Sequence, residues 1–209
     1  KGGDEGIRLL PTVVDTEVFR PASAADEPSG EDGAPVVGWI GTHTTMPYLM
    51  EILPGLEAAR GKVPFRLQVV SNRPPELEGE LEVEFIPWSK EAEMSVLGGL
   101  DVGLYPLPDD PWTRGKCGLK GIQYMACGIP VLASPVGVLG EIVRDGEDGF
   151  LVRGDEAWAR ALLTLLRDRQ LRKRMGASGR ARAFERYSVQ AVREELAGGL
   201  RGTTRERMG

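Results

Sequence analysis

Apolar and polar positions change their period several times along this chain. Short apolar runs alternate with stretches in which leucine and isoleucine recur at helical spacing, as Leu49, Ile52, Leu53 and Leu56 do within residues 48–60. That stretch predicts a helix, and two more are predicted at residues 90–97 and 118–127. The apolar runs predict strands at residues 36–40, 67–70, 81–86, 102–105, 130–133 and 149–152.

Strands that alternate with helices of about ten residues indicate an α/β fold. We expect a parallel sheet of about six strands, joined by right-handed crossovers, with helices on both faces. Ligands of such sheets bind at the carboxyl ends of the strands. The pattern places five segments on that rim: Gly41-Thr42, residues 71–73, Pro87-Trp88, residues 106–118 and residues 134–137.

The regions on either side of this pattern have a different composition. Residues 1–35 are expected to be an approach segment, extended near residues 9–15 and a mobile loop over residues 22–35, where small, acidic, Gly and Pro residues prevail. Residues 36–185 should form the α/β domain, and residues 186–209 a C-terminal helix and tail. The chain starts at Lys1, so we expect a fragment or a processed product.

Composition narrows the possible functions. The 209 residues are 41% hydrophobic and carry a net charge of −5, which argues against a general nucleic-acid-binding protein. Cys117, Cys127 and a single histidine, His43, do not suit a structural zinc site or a Cys/His nucleophile pair. Asp109 and Asp110 lie in a proline-rich loop, where we expect solvated acids rather than a metal site. No apolar run approaches the ~20 residues needed to span a bilayer.

A glycine-bearing loop opens directly into the helix predicted at residues 118–127. The first amides of a helix have no intrahelical partner and carry the positive end of the dipole, so this turn is a generic anion site. Lys116 and Lys120 flank it, although cations there oppose the dipole by ~0.3–1 kcal/mol each. Their placement makes sense if a diphosphate lies between them; the alternative is two solvated lysines.

Residues 116–134 (KCGLKGIQYMACGIPVLAS), with Gly137, Glu141 and residues 148–151 (DGFL), resemble the C-terminal domain of the group 1, family 4-like glycosyltransferases. Residues 11–21 (PTVVDTEVFRP) resemble the segment that enters this domain, and Tyr187-Ser188 resembles the point where its last helix turns back. The similarity covers nearly all of residues 9–197. It implies one Rossmann-like half of a GT-B fold in a retaining enzyme, with the acceptor held by a separate N-terminal domain.

Two departures from the family pattern affect the expected site. Members commonly carry two glutamates separated by seven residues across the loop and helix, and this chain has Gly115 and Gln123 there. The usual Gly-Arg turn after the first strand is Gly41-Thr42. Lys116 and Lys120 could supply the missing positive charge, which makes the loop a variant of the pattern. Loss of activity is the alternative.

The resemblance implies a role for each candidate position. The amides of Cys117, Gly118 and Leu119 would face the diphosphate or sugar, and Gln123 would meet the ribose as a neutral acceptor. The base would lie near Trp88, which could stack on it or be an ordinary structural tryptophan. His43 and Arg73 could bind phosphate or be incidental, and Glu141 could belong to the site or cap a helix. The candidate donor-binding residues are Gly41, Thr42, His43, Arg73, Trp88, Lys116, Cys117, Gly118, Leu119, Lys120 and Gln123.

These expectations favour part of a glycosyltransferase of the hexosyltransferase type, active in polysaccharide biosynthesis. It would use a nucleotide-diphosphate sugar as donor and need no cofactor or metal, because amides and lysines stabilise the leaving diphosphate. The fragment alone should bind without turnover. A catalytically degenerate sensor or scaffold is the alternative, and an epimerase of the same architecture fits the motif order poorly. The resemblance implies a cytoplasmic protein, whose arginine-rich C-terminal helices could contact the inner face of a membrane or be a solvated surface.

Overall fold

A six-stranded, fully parallel sheet forms the centre of the computed structural model, which describes residues 10–21, 33–76, 81–193 and 196–197. The strand order is β3-β2-β1-β4-β5-β6, which confirms the predicted Rossmann-like α/β class. The strands are β1 (Val36–Ile40), β2 (Arg66–Ser71), β3 (Val83–Pro87), β4 (Val102–Tyr105), β5 (Val131–Ala133) and β6 (Gly149–Leu151). Expectations for residues 1–9, 22–32 and 198–209 lie outside the described residues.

Helices cover both faces of the sheet and enclose two hydrophobic cores. One core is formed with α3, α5, α6 and α8, and the other with α1, α2 and α7. The helices are α1 (Met46–Met50), α2 (Leu53–Arg60), α3 (Lys90–Gly99), α4 (Pro111–Arg114), α5 (Leu119–Ala126), α6 (Leu139–Ile142), α7 (Asp155–Arg167) and α8 (Arg169–Tyr187).

Strand β1 shows why the sheet is buried on both sides. All five of its residues are buried, and alternate residues belong to different cores: Val36 and Ile40 to one, Val37 and Trp39 to the other. Between them, Gly38 leaves room for Leu100, because a Cβ atom at residue 38 would lie 2.3 Å from Leu100 Cδ2. The run of apolar residues therefore marks the central strand of a two-sided sheet.

The single helix predicted over residues 48–60 is wrong, since the structure has two helices there, α1 and α2. Pro54 lies in the first turn of α2. Its ring has no N–H to donate and would clash with the carbonyl of Met50 if the helix were continuous. Apolar residues continue at helical spacing across this break because α1 and α2 pack against the same face of the sheet. The apolar pattern alone therefore does not reveal the break.

The solvated arginine surface expected for the last helix is also partly wrong. Arg172 forms an ion pair with Asp101 and donates to two carbonyls, Arg180 donates to the carbonyls of Thr16, Phe19 and Ala126, and Arg182 donates to those of Glu141 and Ile142. These three guanidinium groups tie α8 to the rest of the domain. Among the described residues, no helix has the length and apolarity that crossing a bilayer requires.

The approach segment pairs with the end of α8. Val14 forms an isolated parallel bridge with Ser188, with the Val14 amide 2.8 Å from the Tyr187 carbonyl oxygen. Val14 is 3% exposed and belongs to the same core as α5. The segments around Val14 and Ser188 thus run alongside each other on one side of the domain.

Candidate functional site

The topology predicts a ligand crevice at the carboxyl ends of the neighbouring strands β1 and β4. The chain leaves β1 toward α1 on one face of the sheet, and the helix that follows β4 in the same way, α5, lies on the other face. The Tyr124 hydroxyl on α5 fills the gap between the strands, accepting from the Ile40 amide at 3.2 Å and donating to the Leu104 carbonyl at 3.4 Å. Complete burial raises the pKa of this tyrosine, so the hydroxyl stays neutral and holds α5 against both strands.

Consecutive backbone amides at the start of α5 have no acceptor. The N-cap residue, Gly118, has no side chain that could cap the helix. Within the ranges that the structure describes, nothing accepts a hydrogen bond from the amides of residues 117–121. Because these groups carry the positive end of the helix dipole, they can bind an anion. We call residues 115–121 the α5 turn.

Glycine geometry gives the α5 turn its shape. Gly118 has φ +73°, and a Cβ atom there would lie 2.2 Å from Ile142 Cδ1. Gly137, in the loop after β5, has φ +55° and leaves only 2.6 Å between an added Cβ and the Arg114 carbonyl oxygen. The loops after β4 and β5 therefore meet backbone to backbone, and side chains at these two positions would push them apart.

Within the α5 turn, the side chain of Lys116 lies near two aromatic rings. Its Nζ is 5.9 Å from the centre of the Tyr48 ring and 6.0 Å from that of Trp112. No carboxylate among the described residues forms an ion pair with it. Since Tyr48 belongs to α1, this lysine reaches across the crevice from the β4 side to the β1 side, with its charge uncompensated by an acid.

Lys120 has a different environment, because it forms an ion pair with Glu93 on α3. The distance between Lys120 Nζ and Glu93 Oε1 is 2.6 Å, and the carboxylate side chain is only 10% exposed. The other carboxylate oxygen, Oε2, accepts from the Trp88 indole at 2.7 Å. Lys116 therefore has no acidic partner among the described residues, whereas Lys120 is paired, so the alternative of two solvated lysines does not hold for Lys120.

Gln123 occupies the position where the family pattern has its second glutamate. The side chain is 6% exposed, and its Oε1 has no hydrogen-bond partner within the described structure. It lies one helical turn after Lys120 on α5. A buried amide oxygen without a partner costs about 1–3 kcal/mol, which a ligand donor could recover.

The β1 side of the crevice is an exposed, hydroxyl-rich loop. Gly41 turns the chain closely over Trp39, where a Cβ atom would lie 2.3 Å from the indole ring. The Thr42 amide donates to Thr45 Oγ1, and the His43 amide donates to Asn72 Oδ1 at 2.8 Å. The structure thus brings His43 next to the loop after β2, where Arg73 is exposed.

We had expected the paired acids after β4 to be simply solvated, but both form hydrogen bonds with the protein. Asp109 accepts from Arg114 at 2.7 Å and from Arg153 at 3.1 Å, and these hydrogen bonds lower its pKa. Asp110 caps α4 by accepting from the Thr113 amide, which lowers its pKa as well. In the described part of the chain, no cluster of three or more His, Cys, Asp or Glu side chains has the geometry of a metal site.

A cavity of about 520 Å³ lies on the outer side of the α5 turn, between the approach segment and the end of α8. Cys117, Glu141 and Arg186 are among the residues that line it. Helix α6 has no side-chain cap, so the capping alternative for Glu141 is wrong.

At the end of β4, burial and the nearby Cys117 raise the pKa of Tyr105 to about 12, so that phenol is neutral at physiological pH.

The candidate residues therefore fall into three groups on one rim. The first group belongs to the α5 turn and its helix: Lys116, Cys117, Gly118, Leu119, Lys120 and Gln123. The second is Trp88, which is connected to Lys120 through Glu93. The third lies on the loops after β1 and β2: Gly41, Thr42, His43 and Arg73. Glu93 and Tyr124 were not among the candidates. No local motif identifies them, because each acts through a partner on another element.

The fold and the site together define an α/β protein with a turn of unpaired amides at the topological switch point of its sheet. The model of the family described as "Glycosyl transferases group 1" matches residues 34–168. A D-inositol 3-phosphate glycosyltransferase from Streptomyces bingchenggensis is 34% identical over 145 residues, which are 66% of this chain and 28% of that protein. The chain belongs to the group 1 glycosyltransferase family, and it spans less than a third of the length of the curated relatives that it matches.

Solved structures show the same fold at low sequence identity. Anabaena HepE, in complex with UDP and glucose, has a TM-score of 0.72 and 19% identity over 95% of this chain and 58% of that chain. The C-terminal domain of a group 1 glycosyl transferase from Francisella tularensis has a TM-score of 0.66 and 20% identity. That alignment covers 84% of this chain and 99% of that domain.

Proposed function

We propose that this chain is the donor-binding part of a retaining glycosyltransferase, with the nucleotide-diphosphate sugar bound at the α5 turn and residues 36–185 as the donor-binding domain. The observation that carries the proposal is the run of amides at residues 117–121 without acceptors, beside the uncompensated charge of Lys116. Such a group of fixed donors stabilises the charge that develops on a leaving diphosphate. An acceptor held by a separate N-terminal domain would receive the sugar.

The structural relatives support a donor of this class. HepE is similar in fold, and its structure is a complex with UDP and glucose. The Francisella relative that this chain covers almost completely is a C-terminal domain. Both observations fit a donor-binding half that works with a second domain.

Calorimetry with nucleoside diphosphates and inorganic pyrophosphate tests the binding site. Lys116→Ala should weaken both ligands about 10-fold, the effect of losing one charge-assisted contact. Lys120→Ala should have a smaller effect on pyrophosphate, because Glu93 already compensates that charge. Lys62→Ala is the matched control: Lys62 is exposed and precedes β2, so it lies at the opposite end of the strands. Wild-type protein that binds none of these ligands would refute the proposal.

Turnover is a separate prediction. Because the proposal assigns the acceptor to a separate domain, we expect this chain alone to bind the donor without releasing sugar. Sugar release by the isolated chain above the rate of uncatalysed hydrolysis would contradict this expectation. In the complete protein, the anomeric configuration of the product, followed by NMR, tests retention.

The alternative function is a catalytically degenerate donor-binding module. Two observations favour it: Gly115 provides no carboxylate in the α5 turn, and Gln123 has a buried side-chain oxygen without a partner among the described residues. Donor binding with no activity in the complete protein would support this alternative. Membrane contact through α8 has less support, since Arg172, Arg180 and Arg182 serve the domain's own structure.

A further inference from the structure

Glu93 is a nearly buried carboxylate that joins two elements of the proposed site. It is 8% exposed, and it accepts from Trp88 Nε1 at 2.7 Å and from Lys120 Nζ at 2.6 Å. Buried carboxylates are rare unless they are paired, so the two contacts account for its position. They also connect the end of β3 with the first turn of α5 through a single side chain.

Trp88 is fixed at both its main chain and its ring edge, while its ring remains accessible. The Trp88 amide donates to the Ser71 carbonyl at 2.9 Å, and the following residue, Ser89, caps α3. The indole N–H is held by Glu93, yet the residue is 54% exposed. A base can stack on such a ring at a low entropic cost, because the ring is already ordered before the ligand binds.

We propose that Glu93 is a positioning residue for the nucleoside half of the donor, an inference that rests on the proposed function. One oxygen of Glu93 orients the Trp88 ring as a wall for the nucleobase. The other keeps Lys120 at a fixed distance from that wall. In a nucleoside diphosphate the ribose sets the distance between base and phosphate, so a wall and a cation at a fixed spacing favour that ligand over free pyrophosphate.

Two substitutions of Glu93 separate its two contacts. Glu93→Ala removes both, whereas Glu93→Gln keeps an oxygen that can accept from the Trp88 indole and removes the ion pair with Lys120. Trp88→Phe keeps a ring and removes the N–H that Glu93 accepts. The measured quantity is the nucleoside advantage, defined as the Kd of pyrophosphate divided by the Kd of the tightest of uridine, guanosine and adenosine diphosphates.

We expect Glu93→Ala to reduce the nucleoside advantage about 10-fold, as expected when an ordered base–aromatic stack is lost. Trp88→Phe should also reduce it, and the double variant should lose no more than Glu93→Ala, because Glu93 acts on the base through Trp88. Glu93→Gln keeps the indole contact and loses the Lys120 ion pair, so its nucleoside advantage should fall between those of wild type and Glu93→Ala. The fluorescence change that nucleotide produces should be lost in Glu93→Ala and recovered in Glu93→Gln.

The inference is overturned if Glu93→Ala is folded and keeps the nucleoside advantage, or if the losses in Glu93→Ala and Trp88→Phe multiply. Should Glu93→Ala fail to fold, an unchanged advantage in Trp88→Phe overturns it instead. A third outcome separates this inference from the proposed function. If wild type binds pyrophosphate, Lys116→Ala weakens that binding, and wild type shows no nucleoside advantage, then this inference is overturned while the proposed anion site stands. Wild type that binds neither ligand would overturn both.

Discussion

Substituting Gly118 by alanine tests whether the shape of the α5 turn depends on glycine. Gly118 has φ +73°, a conformation that costs a residue with a side chain about 1–2 kcal/mol. Its new Cβ would also lie 2.2 Å from Ile142 Cδ1, and inserting a methyl group into a packed region costs about 1–3 kcal/mol. We therefore expect Gly118→Ala to lower the free energy of unfolding by about 2–5 kcal/mol.

Two further variants separate backbone strain from steric overlap. Gly146 has φ +79° but nothing within 4 Å of an added Cβ, so Gly146→Ala should show the strain alone. Ile142→Val removes the overlapped Cδ1 and should cost about 0.5–1.5 kcal/mol by itself. In combination with Gly118→Ala it should cost less than the two single effects added together, because the overlap no longer exists.

Urea unfolding followed by tryptophan fluorescence, extrapolated linearly to water, gives these free energies. Calorimetry on the folded fraction should show weaker pyrophosphate binding in Gly118→Ala, since a displaced turn no longer points its amides at one anion. The reasoning is refuted if Gly118→Ala costs no more than Gly146→Ala. It also fails if the effects of Gly118→Ala and Ile142→Val are strictly additive.

Three further results should follow from contacts away from the α5 turn. Tyr124→Phe removes the acceptor of the Ile40 amide and should cost about 1–3 kcal/mol in urea unfolding, because that amide is left buried and unpaired; no loss would show that water replaces the hydroxyl. Asp148→Asn should cost about 1.5–3 kcal/mol at pH 7, since the buried carboxylate accepts two hydrogen bonds from the Arg144 guanidinium. Burial raises the pKa of Asp148, but hydrogen bonds from Arg144 and Ser178 outweigh it and lower the pKa overall. The stability that Asp148 confers should therefore be present above about pH 4 and be lost as the pH falls through its lowered pKa, and wild type and Asp148→Asn should converge in acid unfolding; a constant gap down to pH 2 would contradict this.

Much of the fold could be predicted from the sequence because both faces of the sheet are buried. Strands such as β4 read as continuous apolar runs, and the predicted residues 102–105 match Val102–Tyr105. Prediction was wrong over residues 48–60, where the apolar spacing suits one helix and Pro54 divides it into two. Apolar periodicity reports which residues face the core, while backbone hydrogen bonding decides where a helix is interrupted.

The candidate site likewise combines features of adjacent residues, which the sequence shows, with contacts between residues that are far apart in the sequence. The α5 turn was predicted because a glycine loop before a helix is a feature of adjacent residues. Glu93 and Lys120 are 27 residues apart, and Ile40 and Tyr124 are 84 residues apart, so their contacts depend on how the elements pack. The pairing of Lys120 could not be predicted for the same reason: the sequence shows both lysine charges, but only the folded chain shows which of them has an acidic partner.

The bridge between Val14 and Ser188 has a consequence for stability. Because Val14 pairs with the end of α8 and Arg180 donates to the carbonyls of Thr16 and Phe19, residues 14–19 are held to this helix by main-chain and guanidinium hydrogen bonds together. Displacing residues 14–19 would leave the Ala126 carbonyl as the only one of the three acceptors described for Arg180. The approach segment and α8 should therefore unfold together rather than one after the other.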